Sequence, residues 1–391
     1  MDAFFAQTRR IIVLATVLSA FMHVGQAVAG TNVSGTISSN TTWTAAGSPY
    51  VMTGNVTVAS GVTLTVAAGV VVQANVWYRS LTVNGSLSAP GTVSQPITFT
   101  STADSAPAQW MGITFSTGSG TSTLQHVNVR YGGGGAGSDV SGLIKINGGA
   151  ITIEDSTING SSVSGIAIGG GTSGNAASLT VRRTKIQSNG YYTNSNGDGI
   201  NVTNARVVIE DSALWSNKDD GLDVGISAAY AAATGEVSGT SIWDNDRFGV
   251  YLEQDVGAQN LAPDGNISGK TGNAVFNNGT FGYSVSETWQ QLRVIRESLN
   301  VDWRGTYWGQ VDVWGGVEWN PCWLGSLNGH LSYGDAPDPL PDNELALNRG
   351  PVSYRTEFVS NGQDYEYCGN DLILVDPAAT TMPSVYFPPP S

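Results

Sequence analysis

The chain has 391 residues, of which 12% are charged and 50 are glycine, and its formal net charge at pH 7 is −14. Glycine at this level, with many Thr, Ser, Val and Asn, argues against helical bundles and fits short strands joined by tight turns. The acidic surface disfavours binding to nucleic acid or to anionic membranes over most of its area.

Residues 1–29 have the pattern of a secretory signal peptide. Arg9 and Arg10 precede an apolar run from Ile11 to Val24, and Ala27-Val-Ala29 is a small-residue cleavage signal. The run is shorter than the ~20 residues that a membrane-spanning helix needs. We therefore expect export to the periplasm, the cell surface or the medium, with no transmembrane segment in the mature chain. The mature net charge would be −15, because Lys+Arg falls from 17 to 15 and Asp+Glu from 31 to 30.

Residues 30 to 149 contain strand-like phrases at uneven spacing. Four of them alternate small or polar residues with apolar ones: Gly61–Val66, Ser80–Leu87, Pro96–Ser101 and Trp110–Phe115. This alternation predicts short strands with one buried face.

From residue 151 onward, one phrase returns at a fixed step of 28 residues. Its copies begin at Ile151, Leu179 and Val207, and a fainter one begins at Gly235. The shortest segments within the copies measure 7, 8 and 7 residues, which sum to a coil of 22, and each coil carries about six extra residues at one corner. Three short segments in a fixed period predict a three-sided parallel β-helix, in which each coil stacks on its neighbours.

Stacking the coils at this step produces columns of similar side chains. Four apolar columns are predicted to form the core: Ile153/Val181/Ile209/Val237, Ile158/Ile186/Leu214/Ile242, Ile166/Ile200/Leu222/Val250 and Ile168/Val202/Val224/Leu252. Asn189, Asn217 and Asn245 form a polar column below Ser161, typical of a ladder of amide hydrogen bonds at a bend. Two further columns alternate in charge: Glu154/Arg182/Glu210 and Asp155/Arg183/Asp211.

The last quarter of the chain is aromatic, acidic and proline-rich. The repeat fades after Glu287, and we expect residues 290–391 to cap the open end of the helix. The two cysteines, Cys322 and Cys368, lie in this segment, and in an exported protein they are expected to form a disulfide.

Several phrases resemble bacterial secreted right-handed β-helix proteins of the pectin-lyase-like superfamily. They include Val56-Thr-Val, Gly61-Val-Thr-Leu-Thr-Val, Leu81-Thr-Val-Asn-Gly and Pro96-Ile-Thr-Phe-Thr-Ser, and the aromatic phrase Asp302–Gly309 is similar to one that often ends such domains. The resemblance implies an all-β, right-handed parallel β-helix over residues 30–289, with N-terminal and C-terminal caps. It implies export as well, and leaves activity open because the superfamily contains lyases, hydrolases and adhesins.

Acidic residues recur where the third strand of each coil begins. Stacking places Ser164, Asp198, Asp220 and Phe248 in one column, and Ala167, Asn201, Asp223 and Tyr251 in the outward column beyond it. We expect Asp198, Asp219 and Asp220 to lie close together on an outer face, with Lys218 and Arg247 as the available bases. Carboxylates this close raise each other's pKa unless a cation neutralises them. The pattern therefore predicts either a metal site or an acid/base pair, with Asn201, Asp223 and Tyr251 as binding residues.

The same positions are similar to a polygalacturonase motif. Asn196-Gly-Asp198-Gly and Asp219-Asp220 match its two acidic phrases, which implies hydrolysis by these aspartates, assisted by Lys218 or Arg247. The Gly-His-Gly of that family is absent, since Arg247-Phe-Gly-Val stands there, and its Arg-Ile-Lys phrase is absent too. The alternative is that Asn-Gly-Asp-Gly and Asp-Asp-Gly are turn sequences before a strand.

Calcium is a second possibility for this region. Asn194, Asn196 and Asp198 alternate before Gly199 as in the start of a calcium loop, but Ala205 stands where an EF-hand has its twelfth, acidic ligand. The sequence therefore predicts at most a shallow calcium site that Asn194, Asn196 and Asp198 share with Asp220.

A groove is predicted at another corner. The extra residues of the first and third repeats, about 169–178 and 225–234, would flank a floor that carries Arg206, with Tyr230 on one wall. Tolerated loop insertion is the alternative.

Three functions remain open at this point. One is an exported protein that binds carbohydrate or another surface polymer, with or without calcium and without catalysis. Another is a lyase or hydrolase that acts on an acidic polysaccharide. The last is a structural component of the envelope or matrix.

Overall fold

A computed structural model describes the chain in segments. These are residues 30–134, 141–169, 177–191, 197–203, 205–226, 234–254, 267–269, 272–276, 278 and 292–295, and six short strands between 301 and 374. The residues described are almost entirely strand and turn, with one 3-10 turn at Ala45–Gly47. No helix in these segments is long and apolar enough to cross a membrane.

The first strand of each coil belongs to a nine-stranded parallel sheet. Its members are β2 (Thr41–Trp43), β4 (Thr63–Val66), β7 (Ser86–Pro90), β10 (Thr121–Gln125), β13 (Ala150–Glu154), β16 (Ser178–Arg182), β19 (Arg206–Glu210), β22 (Thr234–Ser238) and β25 (Ile267–Gly269). Successive members pair in parallel because each is the same segment of the next coil.

The second and third strands of the coils form an eighteen-stranded sheet. Its members are β1 (Thr31–Ile37), β3 (Tyr50–Val58), β5 (Val71–Ala74), β6 (Ser80–Val83), β8 (Ile97–Ser101), β9 (Gly112–Phe115), β11 (Val127–Arg130), β12 (Gly142–Ile146), β14 (Thr157–Asn159), β15 (Ser164–Gly169), β17 (Lys185–Gln187), β18 (Ile200–Thr203), β20 (Ala213–Trp215), β21 (Leu222–Ile226), β23 (Ser241–Trp243), β24 (Val250–Gln254), β26 (Ala274–Phe276) and β27 (Leu292–Ile295). The fold is therefore the predicted all-β parallel β-helix, and its strands continue past residue 289 to Ile295.

The C-terminal strands form two small separate sheets. One contains β28 (Val301–Asp302), β29 (Ser326–Leu327), β30 (His330–Ser332) and β33 (Leu372–Leu374), and the other pairs β31 (Glu357–Ser360) with β32 (Gln363–Glu366). The terminal caps stay predictions, and Cys322 and Cys368 lie outside the described residues.

The predicted columns are confirmed by the strand pairing. Ile153 pairs with Val181, Val181 with Ile209, and Ile209 with Val237, and the other three apolar columns follow the same 28-residue or 22-residue steps. Their described side chains are buried in one continuous core that runs from Trp43 to Val275. No single coil could bury this surface alone, so the stability of the fold depends on the stacking.

The polar columns are confirmed as well. Asn189 Nδ2 donates to Asn217 Oδ1 at 2.9 Å, and Asn217 Nδ2 donates to Asn245 Oδ1 at 2.9 Å. Asn278, which lies off the 28-residue step, continues the ladder. On the surface, Arg182 bridges Glu154 and Glu210, as the alternation of charge predicts.

A glycine interrupts one core column for a steric reason. Gly235 follows Ile151, Leu179 and Val207 in register, so the repeat itself suggests Gly235→Val as a repair. A Cβ at Gly235 would lie 1.6 Å from the carbonyl oxygen of Val207, and the φ angle there is +153°.

We therefore predict that Gly235→Val lowers the free energy of unfolding by at least about 2 kcal/mol, because the backbone clash outweighs the added apolar burial. Urea unfolding followed by circular dichroism checks this. Thr180→Val, on the outward face of the same sheet, is the control and should stay within about 0.5 kcal/mol of the wild type. A stabilised Gly235→Val variant would contradict the prediction.

Candidate functional site

The segments that join second strands to third strands lie above one another along the helix. We call them the second corner: residues 75–79, 102–111, 131–141, 160–163, 188–199, 216–221 and 244–249. The predicted acidic residues lie towards its C-terminal end. Gly165, Gly199 and Gly221 are required here, because a Cβ on them would lie 2.7–2.9 Å from the amide nitrogens of the asparagine ladder.

The acid cluster consists of Asp198, Asp219, Asp220 and Asp223 with Arg247. The structure confirms that these side chains come together, since carboxylate oxygens of Asp198, Asp220 and Asp223 all lie within 4.8 Å of one another. The amide nitrogen of Asn201 joins two of them, donating to Asp198 Oδ2 at 3.2 Å and to Asp223 Oδ2 at 2.8 Å.

The expected exposure of this cluster on an outer face is wrong. Asp198, Asp219 and Asp220 are only 1%, 2% and 0% exposed. The physical reason is that two of the carboxylates hold neighbouring coils together: Asp198 Oδ1 accepts the N–H of Asp220 at 3.1 Å, and Asp220 Oδ1 accepts the N–H of Phe248 at 2.9 Å. Ser164 Oγ adds a bond to Asp198 Oδ2 at 3.0 Å. The column thus acts as a second hydrogen-bonded ladder beside the asparagines.

Arg247 lies between the acids and two aromatic rings. Its Nη1 lies 3.2 Å from Asp219 Oδ1 and 3.5 Å from Asp220 Oδ2. The guanidinium carbon lies 4.7 Å from the ring centre of Phe248 and 4.6 Å from that of Tyr251, and the two rings stack. Tyr251 is 7% exposed, so the predicted binding residue contributes to packing around Arg247.

Burial dominates the electrostatics of the cluster. It raises the pKa of Asp219 to about 7, with a further increase from Asp198 and an opposing effect of Arg247. Burial also raises the pKa of Asp220 well above its usual range, although Arg247 opposes this, and it raises the pKa of Asp198 against the hydrogen bonds from the Asp220 backbone, Asn201 and Ser164. The pKa of Arg247 is raised because Asp220 and Asp219 outweigh its own burial.

The shift of Asp219 predicts a pH dependence of stability. Between pH 3.8 and about 7 the folded state keeps a proton that the unfolded state has released, so the free energy of unfolding should fall as the pH rises through this window. Asp219→Asn, which cannot ionise, should flatten the profile between pH 5 and pH 8. Urea titrations at several pH values check this, with Asp155→Asn as the control, since hydrogen bonds from Arg183 lower the pKa of Asp155 instead. A wild-type stability that rises towards pH 8 would contradict the prediction.

The donor set was compared with the requirements of calcium. Three carboxylates at this spacing suit a hard cation, which prefers six to eight oxygen ligands. The Asn201 amide nitrogen and the Arg247 guanidinium already face these oxygens, and a bound ion would have to replace both. Calcium therefore stays a prediction of the sequence. A melting temperature that rises with millimolar calcium in the wild type, and does not rise in Asp223→Asn, would support it, and an unchanged wild-type value would overturn it.

The remaining predicted residues are separate from the cluster or lie outside the described residues. Lys218 is exposed, and its Nζ pairs with Asp246 at 2.9 Å. Arg206 is exposed at the start of β19, where the third strand returns to the first, and it is not brought to the acids. Asn194, Asn196 and Tyr230 lie outside the described residues.

Sequence reasoning missed an aromatic surface at the N-terminal half of the same corner. Trp77 and Tyr78 are 58% and 48% exposed, Met111 is 38% exposed, and Tyr191 is 65% exposed further along. Trp77 and Tyr78 meet edge to face at 5.5 Å, and Arg79 lies over the Tyr78 ring at 4.5 Å. The available signal was the pair Trp77-Tyr78 between two strand phrases, where a buried aromatic pair has no place.

The comparisons with known proteins agree with this architecture. Residues 35–180 match the family model of a pectate-lyase-like beta helix domain. This segment is a pectate-lyase-like β-helix domain. The predicted resemblance to the pectin-lyase-like superfamily is thereby confirmed, and the domain includes the N-terminal half of the second corner, with Trp77, Tyr78 and Met111.

A solved structure is also similar. The crystal structure of the Dettilon tailspike protein (gp208) covers 70% of this chain at 14% sequence identity, with a TM-score of 0.36. The chain covers 47% of the tailspike, about half its length. No curated protein matches the chain.

Proposed function

We propose that this is an exported, non-catalytic β-helix protein that binds a polysaccharide along its second corner. The distribution of exposed apolar side chains carries the proposal. Among the described residues, five large hydrophobic side chains are exposed: Trp77, Tyr78, Val93, Met111 and Tyr191. All except Val93 lie at the second corner, although this corner is a small part of the surface.

Aromatic rings at such a site suit carbohydrate. A flat ring offers an apolar face to the C–H face of a sugar, and the Tyr hydroxyl and Trp N–H remain available for hydrogen bonds. The match of residues 35–180 to a pectate-lyase-like domain supports the same class of ligand.

The backbone beneath the rings is fixed by hydrogen bonds between coils. Gly134 N–H donates to Trp110 O at 2.9 Å, and Met111 N–H donates to Arg79 O at 2.8 Å. Gly134 also lies against the backbone of Trp77, where a Cβ would be 3.0 Å from the Trp77 oxygen. A surface held in this way loses little conformational freedom on binding, which favours affinity.

The acid cluster supports the non-catalytic part of the proposal. A general acid or base must reach the substrate within hydrogen-bonding distance. Asp198 and Asp220 each commit one oxygen to the next coil and are buried, and Lys218 pairs with Asp246.

A lyase or hydrolase remains the second candidate because of one observation. Asp219, with its pKa near 7, could hold or release a proton at neutral pH, and it lies beside Arg247. In that alternative, Asp198, Asp219 and Asp220 would act on an acidic polysaccharide.

One experiment separates these functions. The full chain is incubated with immobilised neutral and acidic polysaccharides, and both retention and the release of reducing or unsaturated ends are measured. We expect retention without product. Product formed by the wild type and lost in Asp219→Asn would establish the enzyme instead. No retention on any polymer would leave the structural role in the envelope or matrix.

A further inference from the structure

We infer that the polymer bound at the second corner is an uncharged polysaccharide and that polyuronates are excluded from it. The inference rests on the proposed function and adds the class of ligand. It follows from the charges of the corner, from the partners of its cations and from the apolar character of its exposed side chains.

The corner carries more acids than bases. Its segments contain seven aspartates, Asp104, Asp139, Asp198, Asp219, Asp220, Asp244 and Asp246, and three cationic residues, Arg79, Lys218 and Arg247. The whole chain has a formal charge of −14, so the surroundings do not reverse this sign.

The cations at the corner are engaged by the protein itself. Lys218 pairs with Asp246 at 2.9 Å, and Arg247 lies 3.2 Å from Asp219. Arg130, at the end of β11, forms a two-pronged pair with Asp104 at 2.7 and 2.6 Å. Three of these four side chains therefore balance acids of the protein.

Arg79 is the fourth, and it supports a ring. Its Nε donates to Asn75 Oδ1 at 3.2 Å while its guanidinium covers Tyr78 at 4.5 Å. This arrangement orients the aromatic surface and leaves a single cation beside it.

A polyuronate on this surface would meet repulsion with little compensation. Its carboxylates, one on each sugar, would lie against the corner, within the ~8 Å over which charges interact at physiological ionic strength. Each would also lose hydration without gaining a cationic partner, which is costly. A neutral chain offers the same C–H faces to Trp77, Tyr78 and Tyr191 and avoids both costs.

The test compares polymers that differ only in charge. Affinities of the full chain are measured for polygalacturonate, alginate and hyaluronan, and for the carboxyl-reduced, neutral form of each, at low and at physiological salt. We expect at least one neutral form to bind at least about tenfold more tightly than its charged parent, with the difference shrinking as salt increases.

A designed cation checks the cause. Met111→Lys places an ammonium group beside the exposed rings and should raise affinity for the charged parent while leaving the neutral form within about twofold. Val93→Lys, at another corner, adds the same charge as the matched control and should change neither affinity.

The failures are distinguishable. Charged forms that bind more tightly than their neutral forms would overturn this inference and leave the proposed function standing. If neither these polymers nor any neutral polysaccharide is retained, the proposed function falls, and this inference falls with it.

Discussion

Replacing Trp77 and Tyr78 together with alanine should lower the affinity for the bound polysaccharide about 100-fold. The two rings are the largest exposed apolar surface at the second corner, and their contact with each other fixes their orientation. Truncation of central aromatic residues in a binding site commonly costs 1–2 kcal/mol each or more, and each 1.4 kcal/mol is about tenfold in affinity.

Affinity electrophoresis or calorimetry with the polymer retained by the wild type measures this effect. Val93→Ala is the matched control, because Val93 is 84% exposed at a different corner. Both variants should keep the melting temperature of the wild type, since the side chains they remove are exposed. Equal affinity in the double variant and in the wild type would show that these rings do not contact the ligand.

The second large effect is expected in the asparagine ladder. Asn217→Ala should lower the free energy of unfolding by roughly 3 kcal/mol. Asn217 Oδ1 accepts both the backbone N–H and the Nδ2 of Asn189, and its Nδ2 donates to Asn245. Alanine leaves several of these buried groups without a partner, and each costs on the order of 1–3 kcal/mol.

Urea unfolding followed by circular dichroism checks this value. Asn32→Ala is the control, since Asn32 is exposed on β1, and its stability should stay within about 0.5 kcal/mol of the wild type. An Asn217→Ala variant as stable as the control would mean that the ladder contributes little to the stacking of the coils.

Much of the fold could be predicted because the repeat and the strand have simple periods. A step of 28 residues placed Ile153, Val181 and Ile209 above one another, and the alternation of faces made them core residues. The same step predicted the asparagine ladder and the alternating charges. The uneven N-terminal half has no fixed step, so its coils could not be aligned from the sequence, and Trp77 and Tyr191 could not be recognised as members of one corner.

The acid cluster was predicted in composition and not in environment. The turn glycines indicate that Asp198 and Asp220 are neighbours, but an aspartate at a turn can either face solvent or accept a backbone N–H. The neighbouring column of Asn189 and Asn217 was an available signal for the second outcome. It shows that side chains at this corner already bond from coil to coil.

The claim that one polymer runs along the second corner over several coils is tested most directly by chain length. Trp77 and Tyr191 are four coil steps apart, or about 19 Å at ~4.8 Å per step. Affinities are measured for a length series of one oligosaccharide with the wild type and with Tyr191→Ala. The account predicts that wild-type affinity rises until the chain spans both residues, and that Tyr191→Ala removes the rise while leaving the shortest ligands unchanged. Affinity independent of length, or a rise that Tyr191→Ala does not alter, would contradict it.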